Sequence, residues 1–544
     1  MHFIFKYCYS IFFSIIICGI FGSCHDSNPT EKKIFRYNES AGISTLDPAF
    51  AKNQAIMWPI HQLYNTLLEV DSHMNIKPSL ARSWEFSKDN RSIVFHLRQD
   101  VFFHDDPVFS NGKGRKLIAD DVVYSLQRII DKKIASPGAW IFNDKVDVDH
   151  PFVTLNDSTC IIRLADPYPP ILGVLSMPYC SVIAKEAVEK YAADFRRHPV
   201  GTGPFAFLAW EEGQALILKK NEHYFEKDIK GIRLPYLDGI KISFIDSKAS
   251  EFLEFTQYHL DFINDIEPSC KDELLTKTGE LKTKWESVIT LQKHPYLNTE
   301  YLGFMFDTTN ALLKNSPLKN KKIRQAINYA INRKKLLLYL RNSIGIPANS
   351  GFIPEGMPSY NAELVKGYEY NPKRTKELIQ EAGFDELHPL PLIKLYTVPN
   401  YISIGTFIVN ELNQAGIPAV VESVQKSLLL DQMSKSQLLF FRGSWIADYP
   451  DASNYLSVFY SKNPAPPNYT RYKNELYDSL FESSFLVAND SLRFLLYQRM
   501  DKLIIEDAPI VPLWYDMVLQ FVHPSIRNFQ TNAMNMLELR YVQK

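Results

Sequence analysis

Side chains able to carry out a reaction are present in this chain but do not gather into a reactive pattern. His104-Asp105-Asp106 sets an imidazole beside two carboxylates, a grouping that can hold a metal or move a proton. The thirteen histidines are otherwise scattered singly. No Gly-x-Ser-x-Gly nucleophile elbow, phosphate-binding P-loop or His-Glu-x-x-His zinc helix occurs. The six cysteines, Cys8, Cys18, Cys24, Cys160, Cys180 and Cys270, form no Cys-x-x-Cys and no His/Cys cluster with metal-ligand spacing. Cys160 and Cys180 are candidates for a disulfide, although spacing alone does not supply the geometry a bridge needs, and small buried thiols are the simpler reading. No enzyme constellation emerges, and no cofactor or metal site is expected.

The 544 residues exceed what one hydrophobic core supports, so at least two lobes are expected. Hydrophobic residues at 46% and charged residues at 22% describe a folded chain. Lys+Arg 60 against Asp+Glu 61 gives a net charge of −1. That balance argues against a nucleic-acid partner, because such proteins usually carry a basic surplus. A mean hydropathy of −0.18 excludes a multi-span membrane protein. The aromatic content of 13% is enough for an apolar cleft.

The N-terminus reads as an address. Ile11 to Phe21 is almost wholly apolar and follows Lys6, a run shorter than the roughly 20 residues that span a bilayer. Phe21-Gly22-Ser23-Cys24 resembles a bacterial lipobox, with Phe21 where leucine is usual. The expectation is a signal peptide over 1–23, lipid on Cys24, and a tether over 24–32.

Strands and helices alternate through the rest of the chain, which implies α/β lobes. Ile93, Phe95 and Leu97 alternate with Val94 and His96, a strand signal. A helix is expected at about 119–130, with Asp120 and Asp121 in a first turn that favours acids. Ser316-Pro317 is expected to open a helix carrying Ile323, Ala326, Ile327, Ala330 and Ile331 on one face. Two more helices should run from Asn371-Pro372 to Gly383 and from about 404 to Gly416, each stopped by its glycine, and a strand should follow at 417–421.

The order of several motifs carries more than periodicity. Thr45-Leu46-Asp47-Pro48, Leu80-Ala81-Arg82-Ser83-Trp84-Glu85, Phe95-His96-Leu97-Arg98, Phe103-His104-Asp105 and Asp120-Asp121-Val122-Val123-Tyr124-Ser125 come first. Gly201-Thr202-Gly203-Pro204-Phe205, Ile323-Arg324-Gln325-Ala326-Ile327, Glu381-Ala382-Gly383-Phe384, Gly443-Ser444-Trp445-Ile446-Ala447-Asp448-Tyr449-Pro450 and Ala508-Pro509-Ile510-Val511-Pro512 follow. Together they resemble the bacterial family 5 solute-binding proteins, whose members include the oligopeptide-, dipeptide- and nickel-binding proteins of ABC importers. One departure is an extended loop over 106–116, where the family has a tight turn.

The resemblance implies a periplasmic-binding-protein fold (type II, cluster C), a pear-shaped molecule of two hinged lobes plus an extra domain. Lobe I would comprise 33–65, 199–297 and 517–544, the extra domain 66–198, and lobe III 298–516. Ligand would be enclosed between lobes I and III by hinge closure. Asp448 matches the position whose carboxylate pairs with a peptide's α-ammonium, a cation that is costly to bury without an anion. Trp445 would wall the ligand. Arg442 would meet a carboxylate through its two parallel donors, with an internal salt bridge the alternative. Gly443-Ser444-Trp445 and Lys52-Asn53-Gln54 would clamp the ligand backbone as added strands. Trp140 stands near the family's aromatic cleft residue, whose own place is taken by Gly138. The function implied is a monomeric, lipid-anchored, extracytoplasmic protein that captures short peptides and delivers them to an ABC permease. A nickel chelate, an oligosaccharide or another solute is the alternative ligand, and a peptide sensor or surface hydrolase the alternative role.

Overall fold

Two strands far longer than the roughly five or six residues usual in globular proteins run through the middle of the molecule. The computed structural model describes residues 32–266 and 268–544, so the proposed signal peptide, Cys24 and nearly all of the tether lie outside the described residues. Thr290–Phe304 spans 15 residues and Ile510–Val522 spans 13, and they pair antiparallel along most of their length. From Asn298 onward the first pairs on its other edge with Phe440–Ile446, which leads to Ile393–Thr397 and Ala419–Ser423. The end of the second, around Val522, pairs with Phe262–Asn264, then Ile34–Asn38, Gly239–Ser243, Ala215–Lys220 and Phe205–Glu211. One mixed sheet of parallel and antiparallel pairs results, as expected of an α/β fold. The register of the two long strands breaks between Pro295 and Thr299 and again between Glu300 and Tyr301. Such breaks bend and twist a strand, so the sheet changes direction where one group of shorter strands gives way to the other.

A second, four-stranded antiparallel sheet consists of Ala81–Phe86, Ser92–Leu97, Thr159–Arg163 and Phe152–Asn156. Ile93, Phe95 and Leu97 are all buried, as their alternation requires. The helix Ala119–Ile130 packs on this sheet through Val122, Leu126 and Ile129. The helices Pro372–Glu381 and Ile402–Gln414 end where Gly383 and Gly416 adopt φ of +86°. The expected Ser316-Pro317 start differs. Ser316 caps only a short 3-10 turn, Pro317–Lys319, and the α-helix Lys321–Ala330 begins afresh behind Asn320, whose side chain accepts the Lys322 N–H. The expected strand after Gly416 is displaced to Ala419–Ser423.

Three large apolar clusters form the interior of residues 34–544. The first joins residues between 35 and 262 with a group between 522 and 542, and includes Tyr449. The second lies within 302–514. The third surrounds Tyr455 and Phe459 and takes in Leu297, Ala447 and Ala533. Cys160 and Cys180 are separate free thiols buried in the first cluster, so the candidate bridge is not formed. Burial pushes the Cys160 thiol up to about 12, which leaves it inert.

The His104-Asp105-Asp106 group disperses on folding. His104 is buried, with Nε2 3.0 Å from the Gly203 carbonyl, and desolvation holds its pKa at about 4. Asp105 turns outward to Lys113 at 2.7 Å. Among the described residues, no group of three or more His, Cys, Asp or Glu could hold a metal, and no helix is long and apolar enough to cross a membrane. The extended 106–116 loop is anchored at its end by Arg115, which reaches Asp121 at 2.7 Å and Glu186 at 2.6 Å.

Candidate functional site

A cavity of about 690 Å³ opens beside the bend in the long strands, within the roughly 300–1,000 Å³ range of small-molecule sites. Its wall is drawn from distant parts of the chain: 52–79, Trp140, 176–181, Tyr296, 446–448 and 530–541. Asp448 is on that wall and open to the cavity. It stands where the chain leaves one core and enters another, because Ala447 packs in the third cluster and Tyr449 in the first. Tyr449 Oη lies 2.9 Å from Tyr168 Oη, which pins the loop immediately after the acid.

Asn454 fixes the Asp448 carboxylate. This buried side chain donates from Nδ2 to Asp448 Oδ2 at 2.9 Å, and its Oδ1 accepts the Trp445 Nε1–H at 2.9 Å. Among the described residues Asp448 makes no ion pair. Although water reaches the carboxylate, protein surrounds it on most sides, and this desolvation raises its pKa above the ordinary carboxylate range; the Asn454 hydrogen bond and the Lys145 ammonium partly oppose the rise. Lys145 is itself held by the Trp140 carbonyl at 3.0 Å and sits over the Trp140 and Tyr168 rings.

Lys52, Asn53, Gln54 and Trp140 also line the cavity. Asn53 caps the helix Gln54–Leu63 by accepting the Ile56 N–H at 3.2 Å, and Gln54 Nε2 donates to the Asn535 carbonyl at 3.2 Å. Lys52 projects just ahead of that cap. Trp140 keeps 39% of its surface exposed. Gly138 carries no aromatic ring because Tyr179, itself a lining residue, fills the space: a β-carbon at 138 would stand 2.4 Å from the Tyr179 ring.

Four expected contacts lie elsewhere. Arg442 is bound to Glu300, with Nε–Oε2 at 3.0 Å and Nη2–Oε1 at 2.6 Å, and its guanidinium stacks 3.9 Å from the centre of the Tyr401 ring. The internal salt bridge, not a ligand carboxylate, takes this arginine, because the neighbouring strand sets Glu300 diagonally beside it. Trp445 is not on the cavity wall; it packs against the third cluster and orients Asn454. Ser444 Oγ donates to Asn298 Oδ1 at 2.9 Å. Gly443 faces Tyr301, whose ring would stand 2.4 Å from a β-carbon there. Ile393–Thr397 meets this strand only at Phe441, so beyond that point no strand pairs on the outer edge of 442–446 among the described residues.

A family profile described as "Bacterial extracellular solute-binding proteins, family 5 Middle" matches residues 75–467. The chain belongs to that family. It is 28% identical over 494 residues to heme-binding protein A of Haemophilus influenzae, covering 86% of this chain and 84% of the relative. It is 24% identical over 494 residues to the dipeptide-binding protein of Escherichia coli, covering 87% of each. The solved open, unliganded form of the periplasmic murein tripeptide-binding protein MppA superposes with a TM-score of 0.80 at 20% identity, covering 94% of this chain and 98% of that one, a likeness of fold. These relatives are binding proteins, and the family is extracytoplasmic.

On this family 5 scaffold, the wall holds a charge cluster that sequence motifs did not reveal. Arg540 is nearly buried and meets Glu69 at 2.9 Å, Glu226 at 3.0 Å and Glu538 at 3.1 Å. Glu538 also meets His61 at 3.2 Å. Burial raises Glu538, but Arg540 and His61 outweigh it and hold the carboxyl at about 2. Glu226, the partner behind the wall, is pushed by burial up to about 7 despite the same arginine. Only the Glu538–Arg540 spacing was visible locally. Glu69 comes from the other end of the chain, and Asn454 is an unremarked residue six positions after Asp448.

Proposed function

We propose that this chain is the substrate-binding lipoprotein of an ABC importer, capturing short peptides and delivering them to a membrane permease. The observation that carries the reading is Asp448, a hydrogen-bonded carboxylate on the cavity wall without an ion-pair partner of its own. A ligand ammonium would supply the missing charge, and truncating one side of such a desolvated pair costs about 2–5 kcal/mol. The cavity suits a small peptide in volume. The unpaired outer edge of 442–446 offers main-chain partners indifferent to side-chain identity. Lobe I (33–65, 199–297, 517–544) and lobe III (298–516) would close by bending at the register break near Pro295–Thr299, with 66–198 as the extra domain. Cys24 would carry the lipid and tether the body to the membrane.

A heme, nickel-chelate or sugar ligand fits less well, because none of them brings an ammonium to Asp448. Native mass spectrometry of the purified protein is expected to reveal co-purified short peptides; a sugar, porphyrin or metal chelate as the sole guest would refute the reading. Deleting the protein is expected to reduce peptide uptake by cells, and unchanged uptake would remove the transport role.

A further inference from the structure

Most charged groups on the cavity wall are engaged in ion pairs. Asp71 meets Lys77 at 3.5 Å, while Glu69 and Glu538 share Arg540, and Glu538 also meets His61. Two lining charges remain without an ion-pair partner among the described residues: the Asp448 carboxylate and the Lys52 ammonium. They are opposite in sign. The cavity therefore presents one anion and one cation that stand outside its ion pairs, the complement of a zwitterion, although Lys145 also acts on Asp448 without pairing with it.

Arg442 would have been the natural receptor for a ligand carboxylate, but Glu300 occupies both of its donor directions. Lys52 is placed to take that role. It is exposed, and it directly precedes the capped start of the helix Gln54–Leu63, which fixes its backbone at the wall. It also lines an adjoining cleft of about 650 Å³. In that cleft Arg128 is matched by Asp47 at 2.7 Å and Arg196 by Glu212 at 2.9 Å, whereas Lys133 has no ion-pair partner among the described residues. The neighbourhood of Lys52 is thus net positive on the side away from the main cavity.

We propose that Lys52 receives the ligand's carboxylate, so that the site selects zwitterionic peptides with both ends free. This rests on the peptide reading above and extends it to the second terminus.

The test uses Ala-Phe-Ala, its C-terminal amide and its N-acetyl derivative, titrated calorimetrically into the wild type, Lys52→Met and Lys52→Arg. The wild type is expected to bind the free acid at least about tenfold more tightly than the amide. Lys52→Met should abolish that preference, Lys52→Arg should retain most of it, and all three proteins should keep the penalty for N-acetylation. Thermal unfolding should be unchanged, since Lys52 is exposed. Equal binding of acid and amide by the wild type, with the N-acetyl penalty intact, overturns the Lys52 role alone. Persistence of the acid preference in Lys52→Met does the same. Failure of the wild type to bind any of the three overturns the peptide reading and this inference with it.

Discussion

Two charged sites six residues apart on one segment illustrate how this protein separates folding from binding. At Arg442 the guanidinium meets Glu300 across the adjacent strand, and Glu300 is almost wholly buried. At Asp448 the carboxylate is held in place by a neutral amide and faces the cavity with no ion pair among the described residues. The first charge is completed by the fold; the second awaits a partner. What distinguishes the proposed binding residue is therefore not its type or its distance from Trp445 but whether the folded chain has already satisfied it.

The largest effect should come from breaking the completed site. Glu300→Ala leaves Arg442 without its anion and is expected to destabilise the protein by about 3–5 kcal/mol, read as a large fall in Tm, with any surviving folded protein still recognising a peptide ammonium. An unchanged Tm would show that the pair contributes little to the fold.

Asp501 sharpens the comparison as a buried carboxylate with no ion pair among the described residues. It accepts the Phe352 N–H at 2.6 Å, and burial pushes its pKa up to about 7. The native state then binds more protons than the unfolded chain between about pH 4 and 7, so stability falls as pH rises through that window. Asp501→Asn should remove this slope and, on the order of 2–4 kcal/mol, should gain on the wild type between pH 5 and pH 8. Parallel Tm profiles for the two proteins would contradict it.

Opening the other site should spare the fold. Asp448→Ala is expected to weaken peptide binding at least about tenfold, equivalent to about 1.4 kcal/mol or more, while the Tm of the empty protein barely moves. A smaller effect is expected from Asn454→Ala. Because the Asn454 hydrogen bond favours the ionised carboxylate, its loss should move the pH midpoint of binding upward and reduce affinity several-fold. In the wild type, binding should weaken as pH falls through the raised Asp448 pKa, since a protonated carboxyl no longer attracts an ammonium. A midpoint unmoved in Asn454→Ala would leave that residue with a structural role only.

Much of this was legible in the sequence where the information is local. The helix Ala119–Ile130 follows from its apolar face and acidic first turn, and Gly383 and Gly416 mark helix ends because their φ of +86° suits glycine. Family motifs located Asp448, Trp140 and Lys52-Asn53-Gln54, all of which reach the cavity wall. What the sequence concealed is pairing across distance. Glu300 lies 142 residues from Arg442, and Glu69 lies 471 from Arg540. Neither partnership leaves a periodic trace. Trp445 shows a related effect: its ring packs against the third cluster, where its N–H serves Asn454.

The central claim is that Asp448 neutralises the ligand's positive terminus. The most direct measurement is calorimetric titration of Ala-Phe-Ala and its N-acetyl derivative into the wild type and Asp448→Asn. The wild type should lose at least about tenfold in affinity on N-acetylation, and the variant should bind both forms equally weakly. A variant that still discriminates against the acetylated peptide as strongly as the wild type would contradict the account.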